Sequence, residues 1–225
     1  AASLDHAIQI VGEAHALHRG ERLIHFLIRP GGRLPFAVDC GVPCVDGVWP
    51  ETAFSGIAVQ WLPGIMDVFL HDRPNIEYEL VIYESQDEME AATWRGEFDC
   101  CFVILPATLD FFTIPLARDP LYAVLPPEHP LADAPFFPKE ALANEPYIKV
   151  GSSDDLTEFD SVFAKHDVEP NVRYVMDNDY AVMGMVSKGF GFSLFPQLVL
   201  ESAPFDLAHV ELETTTHREL AIAVR

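Results

Sequence analysis

The sequence predicts an α/β protein of two lobes joined by a double crossover, and three observations predict it. In Asp119–Ala132, DPLYAVLPPEHPLA, an apolar strand at Leu121–Leu125 runs into Pro126-Pro127. Neither proline has a backbone N–H, and each pushes the residue before it to extended geometry, so the chain leaves one sheet as a stiff connection. A matching strand lies in Gly189–Pro196, GFGFSLFP, bounded by glycines and stopped by a proline. Between these landmarks and Phe54, strand and helix patterns alternate, the order of a parallel α/β unit. A chain that leaves one sheet, builds a second and returns is expected to bind something between its lobes.

Composition supports a packed, acidic protein. The 225 residues suffice for one large domain or two small ones, and 49% hydrophobic content with sixteen Phe and three Trp provides a core. Lys+Arg 14 against Asp+Glu 35 gives a net charge of −21. Such a charge repels nucleic-acid phosphates and anionic membranes, and it reads as a solubility feature. Cys100 and Cys101 are neighbours in an apolar run, so they point to opposite strand faces and read as buried thiols. Cys40-x-x-x-Cys44 lacks zinc spacing, and His15 and His18 share a helix face with no further ligand nearby, so no metal and no cofactor are expected. No run reaches the roughly 18 apolar residues of a membrane span. The start, AASLDHAIQI, has an acid and no basic n-region, which argues against a secretory signal and for the cytoplasm. It begins without Met, as a fragment would.

The elements follow in order. Ser3–His18 has helical period, and residues 29–53, rich in Pro and Gly, read as irregular. Ile57–Leu70 is an amphipathic helix whose regular part starts near Leu62, because Pro63 belongs in a first turn. Ile76–Tyr83 alternates as a strand. Ser85 caps a helix over Gln86–Trp94, with Glu88 completing a capping box, and Gly96 ends it. Phe98–Leu105 is continuously apolar, as in a sheet covered on both faces. The second lobe reads as helix Lys139–Ala143, strand Tyr147–Val150, helix Leu156–His166, strand Val172–Met176, helix Asp179–Lys188, return strand Phe190–Phe195 and helical turn Gln197–Ala203. Strands His209–Leu212 and Glu219–Val224 are expected to rejoin the first lobe's sheet. The lobes therefore comprise 54–125 with 205–225, and 126–204.

No nucleophile elbow, phosphate loop, dinucleotide fingerprint or zinc-protease motif occurs, and the acid pairs Asp87-Glu88 and Asp154-Asp155 suit helix starts, so no enzyme is expected. What recurs is a small polar turn before a helix: Ser55-Gly56, Ser85, Gly151-Ser152-Ser153 and Asp177-Asn178. Capping explains any one of them. Four of them, gathered at the carboxyl ends of parallel strands, favour a pocket for a small polar ligand. The turns carry no Arg or Lys; Lys149 and Arg118 are the nearest cations, so a mono-acid or neutral compound is favoured over a di-acid.

WLPGIMDVFL (61–70), GEFDCCFVILP (96–106), DPLYAVLPPEHPLA (119–132), GFGFSLFPQLVL (189–200) and RELAIAVR (218–225) together resemble the effector-binding domain of LysR-type transcriptional regulators. The resemblance covers about Phe54 to Arg225. It implies two Rossmann-like subdomains joined by two crossover strands, in the manner of type 2 periplasmic binding proteins. It also implies a small-molecule effector in the cleft, a homodimer or tetramer, and DNA contact only through an N-terminal winged helix-turn-helix that has no counterpart in this sequence. Residues 1–28 would be a linker-helix remnant. Ser55 and Ser85 match positions where the family commonly puts effector-binding hydroxyls; Thr108, Ser152 and Asn178 are further transfers. The alternative from another class is a free-standing solute-binding protein of the same fold.

Overall fold

The structure is a computed structural model that describes residues 55–72, 83, 85–98, 100–151 and 157–224. The expectations for Ser3–His18, residues 29–53 and most of strand Ile76–Tyr83 lie outside the described residues, as does Ser152. The chain divides into two compact units. One runs to Arg118 and takes in Glu219–Arg225; the other is Asp119–Arg218.

In the first unit, helix α1 (Ser55–Gln60) is followed after one residue by α2 (Leu62–Asp72). The interruption at Trp61 follows from Pro63, whose missing N–H removes one bond of the helical ladder. The chain keeps its course, because the Trp61 N–H donates to the Ile57 carbonyl and the Ile65 N–H to the Trp61 carbonyl, both at 3.0 Å. Ile57, Trp61 and Ile65 are buried together on the face that the apolar period marks. Helix α3 occupies Gln86–Trp94, the span expected. It ends at Gly96, whose φ of 80° places it in the left-handed region. Strand β1 (Cys100–Leu105) pairs antiparallel with the last strand of the chain, β7 (His217–Val224), from Cys100 opposite Val224 to Leu105 opposite Glu219. Cys100–Val103 and Leu220–Ala223 are all buried, so both faces of this ribbon are covered.

Strand β2 spans Phe112–Leu125, far longer than the apolar run Leu121–Leu125 suggests. Pro115 and Pro120 lie inside it, since proline removes a donor without preventing extended geometry. The boundary between units falls at Arg118–Asp119, in mid-strand, and the return falls at Arg218–Glu219 inside β7. The sequence places these passages at 125–126 and 204–205, where prolines and turn residues mark strand ends. The strands themselves carry the chain across, so no break marks the passage.

The second unit contains α4 (Lys139–Asn144), β3 (Pro146–Val150), α5 (Asp160–His166), β4 (Asn171–Met176), α6 (Asp179–Val186), β5 (Ser193–Pro196), α7 (Gln197–Leu200) and β6 (Ala208–Glu211). Strands β3 and β4 are parallel, and β3 meets the chain entering β5 through a parallel bridge of Tyr147 with Phe192. Strand β5 and strand β6 both pair antiparallel with β2. Strand β6, expected in the first unit's sheet, joins the sheet of β1 and β7 through its pairing with β2 and lies within the second unit.

Period-two alternation splits this sheet's side chains between two cores. Leu121, Ala123 and Leu125 of β2, Tyr147 of β3 and Leu194 of β5 pack with Phe137, Phe163 and Phe192 on one face. Val124, Ile148 and Phe195 pack with Val182, Met183 and Val186 of α6 on the other. Helices on both faces of a mixed sheet are the arrangement that these continuous apolar runs require.

Candidate functional site

Ser55 is the first residue of α1. Ser85 stands at the N-cap of α3 with φ −118° and ψ 132°, yet its side chain makes no capping bond. The position expected for a cap is filled, but the hydroxyl is not used as one.

The two residues that anchor this helix start are Gln86 and Glu90. Gln86 Nε2 donates to the Ile104 carbonyl at 2.9 Å, and the Ile104 N–H donates to Gln86 Oε1 at 3.0 Å. Glu90 is fully buried. Its Oε2 accepts the Thr108 N–H at 2.8 Å, the Leu109 N–H at 3.0 Å and a short bond from the Thr108 hydroxyl. Gln86 Nε2 donates to its other oxygen at 2.7 Å. One carboxylate thus ties the turn after β1 to α3, and charge-assisted bonds of this kind are the strong ones. Thr108 is brought beside the helix that Ser85 heads, with its proton committed to Glu90 and its oxygen left able to accept.

In the second unit the carboxyl ends of β3 and β4 lie side by side, Val150 opposite Met176. The Gly151 N–H donates to the Met176 carbonyl at 2.8 Å. The turn that starts at Gly151 and the Asp177-Asn178 turn are therefore neighbours at one end of the parallel strands. Gly151 has φ +103°, a conformation L side chains rarely adopt. Asn178 caps α6: its Oδ1 accepts the Ala181 N–H at 2.9 Å. Its amide NH₂ group remains available for other partners.

The nearby cations are placed differently from one another. Arg118 pairs with Glu219 at 3.1 Å on the surface. Lys149 is largely buried, with its Nζ 3.7 Å from Asp160 Oδ2. The same oxygen accepts bonds from the Thr157 N–H and hydroxyl. Tyr147, on the same strand as Lys149, has a buried hydroxyl with no hydrogen-bond partner, and burial raises its pKa, with the Asp160 charge adding to the shift.

Several polar residues escaped the sequence reading: Gln86, Glu90, the buried Asp119 and Arg218, and the half-buried Glu158. Asp119 and Arg218 open the apolar segments DPLYAVL and RELAIAV. A charge at the head of a buried strand was the available signal, since such charges are retained only when paired. Among the described residues, no group of three or more His, Cys, Asp or Glu could hold a metal ion, and no helix is long and apolar enough to cross a membrane.

Two α/β units joined by two strands, with small polar turns at the carboxyl ends of the second unit's parallel strands, define a type 2 periplasmic-binding-protein-like domain. Residues 52–225 match the family model described as the LysR substrate binding domain, and the chain belongs to that family. The uncharacterized HTH-type transcriptional regulator YybE of Bacillus subtilis is 28% identical over 141 residues, which are 61% of this chain and 47% of that protein. The crystal structure of HinK, a LysR family transcriptional regulator from Pseudomonas aeruginosa, superposes with a TM-score of 0.63 at 26% identity, covering 75% of this chain and 60% of that one. The BenM effector binding domain with its effector benzoate shares the fold at a TM-score of 0.65 and 22% identity, covering 75% of this chain and 79% of that one. The chain spans about half the length of the curated relatives it matches.

Proposed function

We propose that this chain is the effector-sensing part of a LysR-type transcriptional regulator, without catalytic activity of its own. In this reading it binds a small molecule through hydroxyl and backbone N–H donors. The observation that carries the proposal is Ser85: it sits at the start of a nine-residue helix in a protein of this family, and its hydroxyl makes no capping bond. Donors at a helix start suit a carboxylate or another polar group. Ser55 and Thr108 of the first unit and Ser152 and Asn178 of the second are the other proposed contacts. The two bonded residues constrain their roles. Thr108 would accept from a ligand, its proton being held by Glu90, and Asn178 would donate its amide, its carbonyl oxygen being held by Ala181. The DNA-contacting function and cytoplasmic location belong to the same proposal for the whole regulator.

A thermal-shift screen of small carboxylates and neutral metabolites, with benzoate as the first probe, tests this. A binder raises the unfolding midpoint by mass action. The double variant Ser85→Ala, Ser152→Ala is expected to abolish the shift. Unchanged affinity in that variant would refute the assignment of the contacts, whatever compound binds.

A further inference from the structure

Every hydrogen bond around Glu90 has its direction set by the backbone. The Ile104 N–H donates to Gln86 Oε1 at 3.0 Å, and the Ile104 carbonyl accepts from Gln86 Nε2 at 2.9 Å. A backbone carbonyl cannot donate and a backbone N–H cannot accept, so the Gln86 amide has one orientation. Its Nε2 then donates to Glu90 Oε1 at 2.7 Å. On the other side, Glu90 Oε2 accepts the N–H groups of Thr108, at 2.8 Å, and Leu109, at 3.0 Å. The Thr108 hydroxyl closes the chain on the same oxygen. A carboxylate oxygen offers that hydroxyl only an acceptor, so Thr108 donates.

Glu90 is fully buried, whereas Thr108 is exposed. A hydroxyl is ordinarily able to rotate and serve as donor or acceptor. Here the rotation is fixed from within, and the Thr108 oxygen has only lone pairs left to present. Behind it stands the Glu90 charge, which Cys101 also feels. An anionic group placed on Thr108 would meet lone pairs in front and like charge behind. A hydroxyl proton meets both favourably. Ser85 is the contrasting case. It stands at the N-cap of the same helix, its side chain makes no capping bond, and its hydroxyl keeps a proton to give. The start of α3 therefore carries a hydroxyl that can donate, beside a turn whose hydroxyl can only accept.

We propose that Glu90 sets the specificity of the candidate site, and that the effector it selects is a hydroxy acid. The ligand hydroxyl donates to Thr108, and the ligand carboxylate accepts from Ser85. Glu90 touches no ligand; it is a positioning residue that acts through Thr108. The inference rests on the reading under Proposed function that Ser85 and Thr108 contact the effector, and it adds the direction of one hydrogen bond and the ligand class that follows.

Calorimetric titration of the full chain with matched sets of compounds tests it. One set is propionate, lactate and the methyl ether of lactate; another is benzoate, its hydroxybenzoate isomers and their methyl ethers. Each ether keeps the oxygen and loses the proton. In a set that binds, a hydroxy acid is expected to bind about tenfold or more tightly than both its parent acid and its ether, because each of these leaves the Thr108 oxygen unpaired. Thr108→Val is expected to erase the preference and Thr108→Ser to retain it. Glu90→Gln supplies a readout that a merely structural role would not move. Gln86 Nε2 still presents a donor, so the oxygen of the new carboxamide takes that bond and its NH₂ group faces Thr108. The Thr108 hydroxyl then accepts from it and turns its proton outward. In this variant the ether is expected to bind at least as tightly as the hydroxy acid, a reversal of preference rather than a loss of affinity alone. Should Glu90→Gln fail to fold, the two Thr108 variants decide. Equal affinity of hydroxy acid and ether for the unaltered chain, or a preference that survives Thr108→Val, refutes the inference and leaves the effector reading standing. Binding of other small molecules without any hydroxy acid among them does the same. If nothing in the thermal-shift screen or in these sets binds, the effector reading falls and this inference falls with it.

Discussion

A single buried carboxylate can organise more of this protein than any exposed one. Glu90 sits on α3 and accepts from two backbone N–H groups and one hydroxyl of the turn after β1, 18 and 19 residues away in sequence. Its charge is felt by Cys101 on β1. Burial pushes the Cys101 thiol up from 9.0 to about 11; the Thr93 hydrogen bond opposes the shift, and the Glu90 charge reinforces it. In the native protein the thiolate, which is the nucleophile, is therefore scarce. At pH 8 the alkylation of Cys101 is expected to be about a hundredfold slower or more in the native than in the urea-unfolded chain, one factor of ten for each pKa unit. Peptide mapping after timed iodoacetamide exposure measures this, and equal rates would refute it. The stability sign follows from the same shift. Between pH 9 and 11 the native state holds the proton that the unfolded chain releases, so this group's contribution to stability falls as pH rises through that window.

At the scale of elements, the glycines of GFGFSLFP show why a local pattern can be right for more than one reason. Gly189 has φ +77° with open space around it, whereas a Cβ on Gly191 would overlap the Pro146 carbonyl oxygen. That carbonyl accepts the Phe192 N–H at 2.9 Å, the bond that joins the entry to β5 onto β3. Gly189→Ala is expected to cost about 1 kcal/mol of backbone strain. Gly191→Ala is expected to cost ~3 kcal/mol, since it adds a clash and breaks a buried bond between strands. Urea denaturation of both variants makes the comparison, and equal costs would show that the close approach to Pro146 is unimportant. The same motif also shows where reading by elements falls short. Prolines correctly marked the ends of the apolar strands at 125 and 196. The first half of β2, which holds Pro115 and Pro120, lacks the continuous apolar run that marked Leu121–Leu125.

For the whole molecule, charge and assembly belong together. The family resemblance leads us to expect a dimer or a tetramer, pairing through helix Leu62–Leu70 and the strand region Ile76–Tyr83. A net charge of −21 opposes such pairing at low ionic strength. Moderate salt shortens the Debye length to roughly 10 Å and should strengthen association. Sedimentation at high micromolar concentration is expected to show a dimer that tightens with salt, and a persistent monomer at moderate salt would refute it. Much of the architecture was legible in the sequence. Helix Gln86–Trp94, the order of helices and strands from Lys139 to Pro196, and the return of Glu219–Val224 to the first unit all rest on period, caps and breakers, which act over a few residues. Ser85 and Asn178 were legible for the same reason, as small polar residues that stand at helix N-caps. The sequence alone could not show which of those side chains are already engaged. It did not show that Thr108 answers to Glu90, nor that Ser85 leaves its capping role unfilled. Nor did it show that Asp119 meets Arg218, 99 residues away, at the point where the chain passes between units. These are pairings of charge and donor between distant segments, and burial makes them compulsory only once the sheet has brought the segments together. Local propensity fixed the elements and their order; tertiary packing alone decided which polar groups face one another.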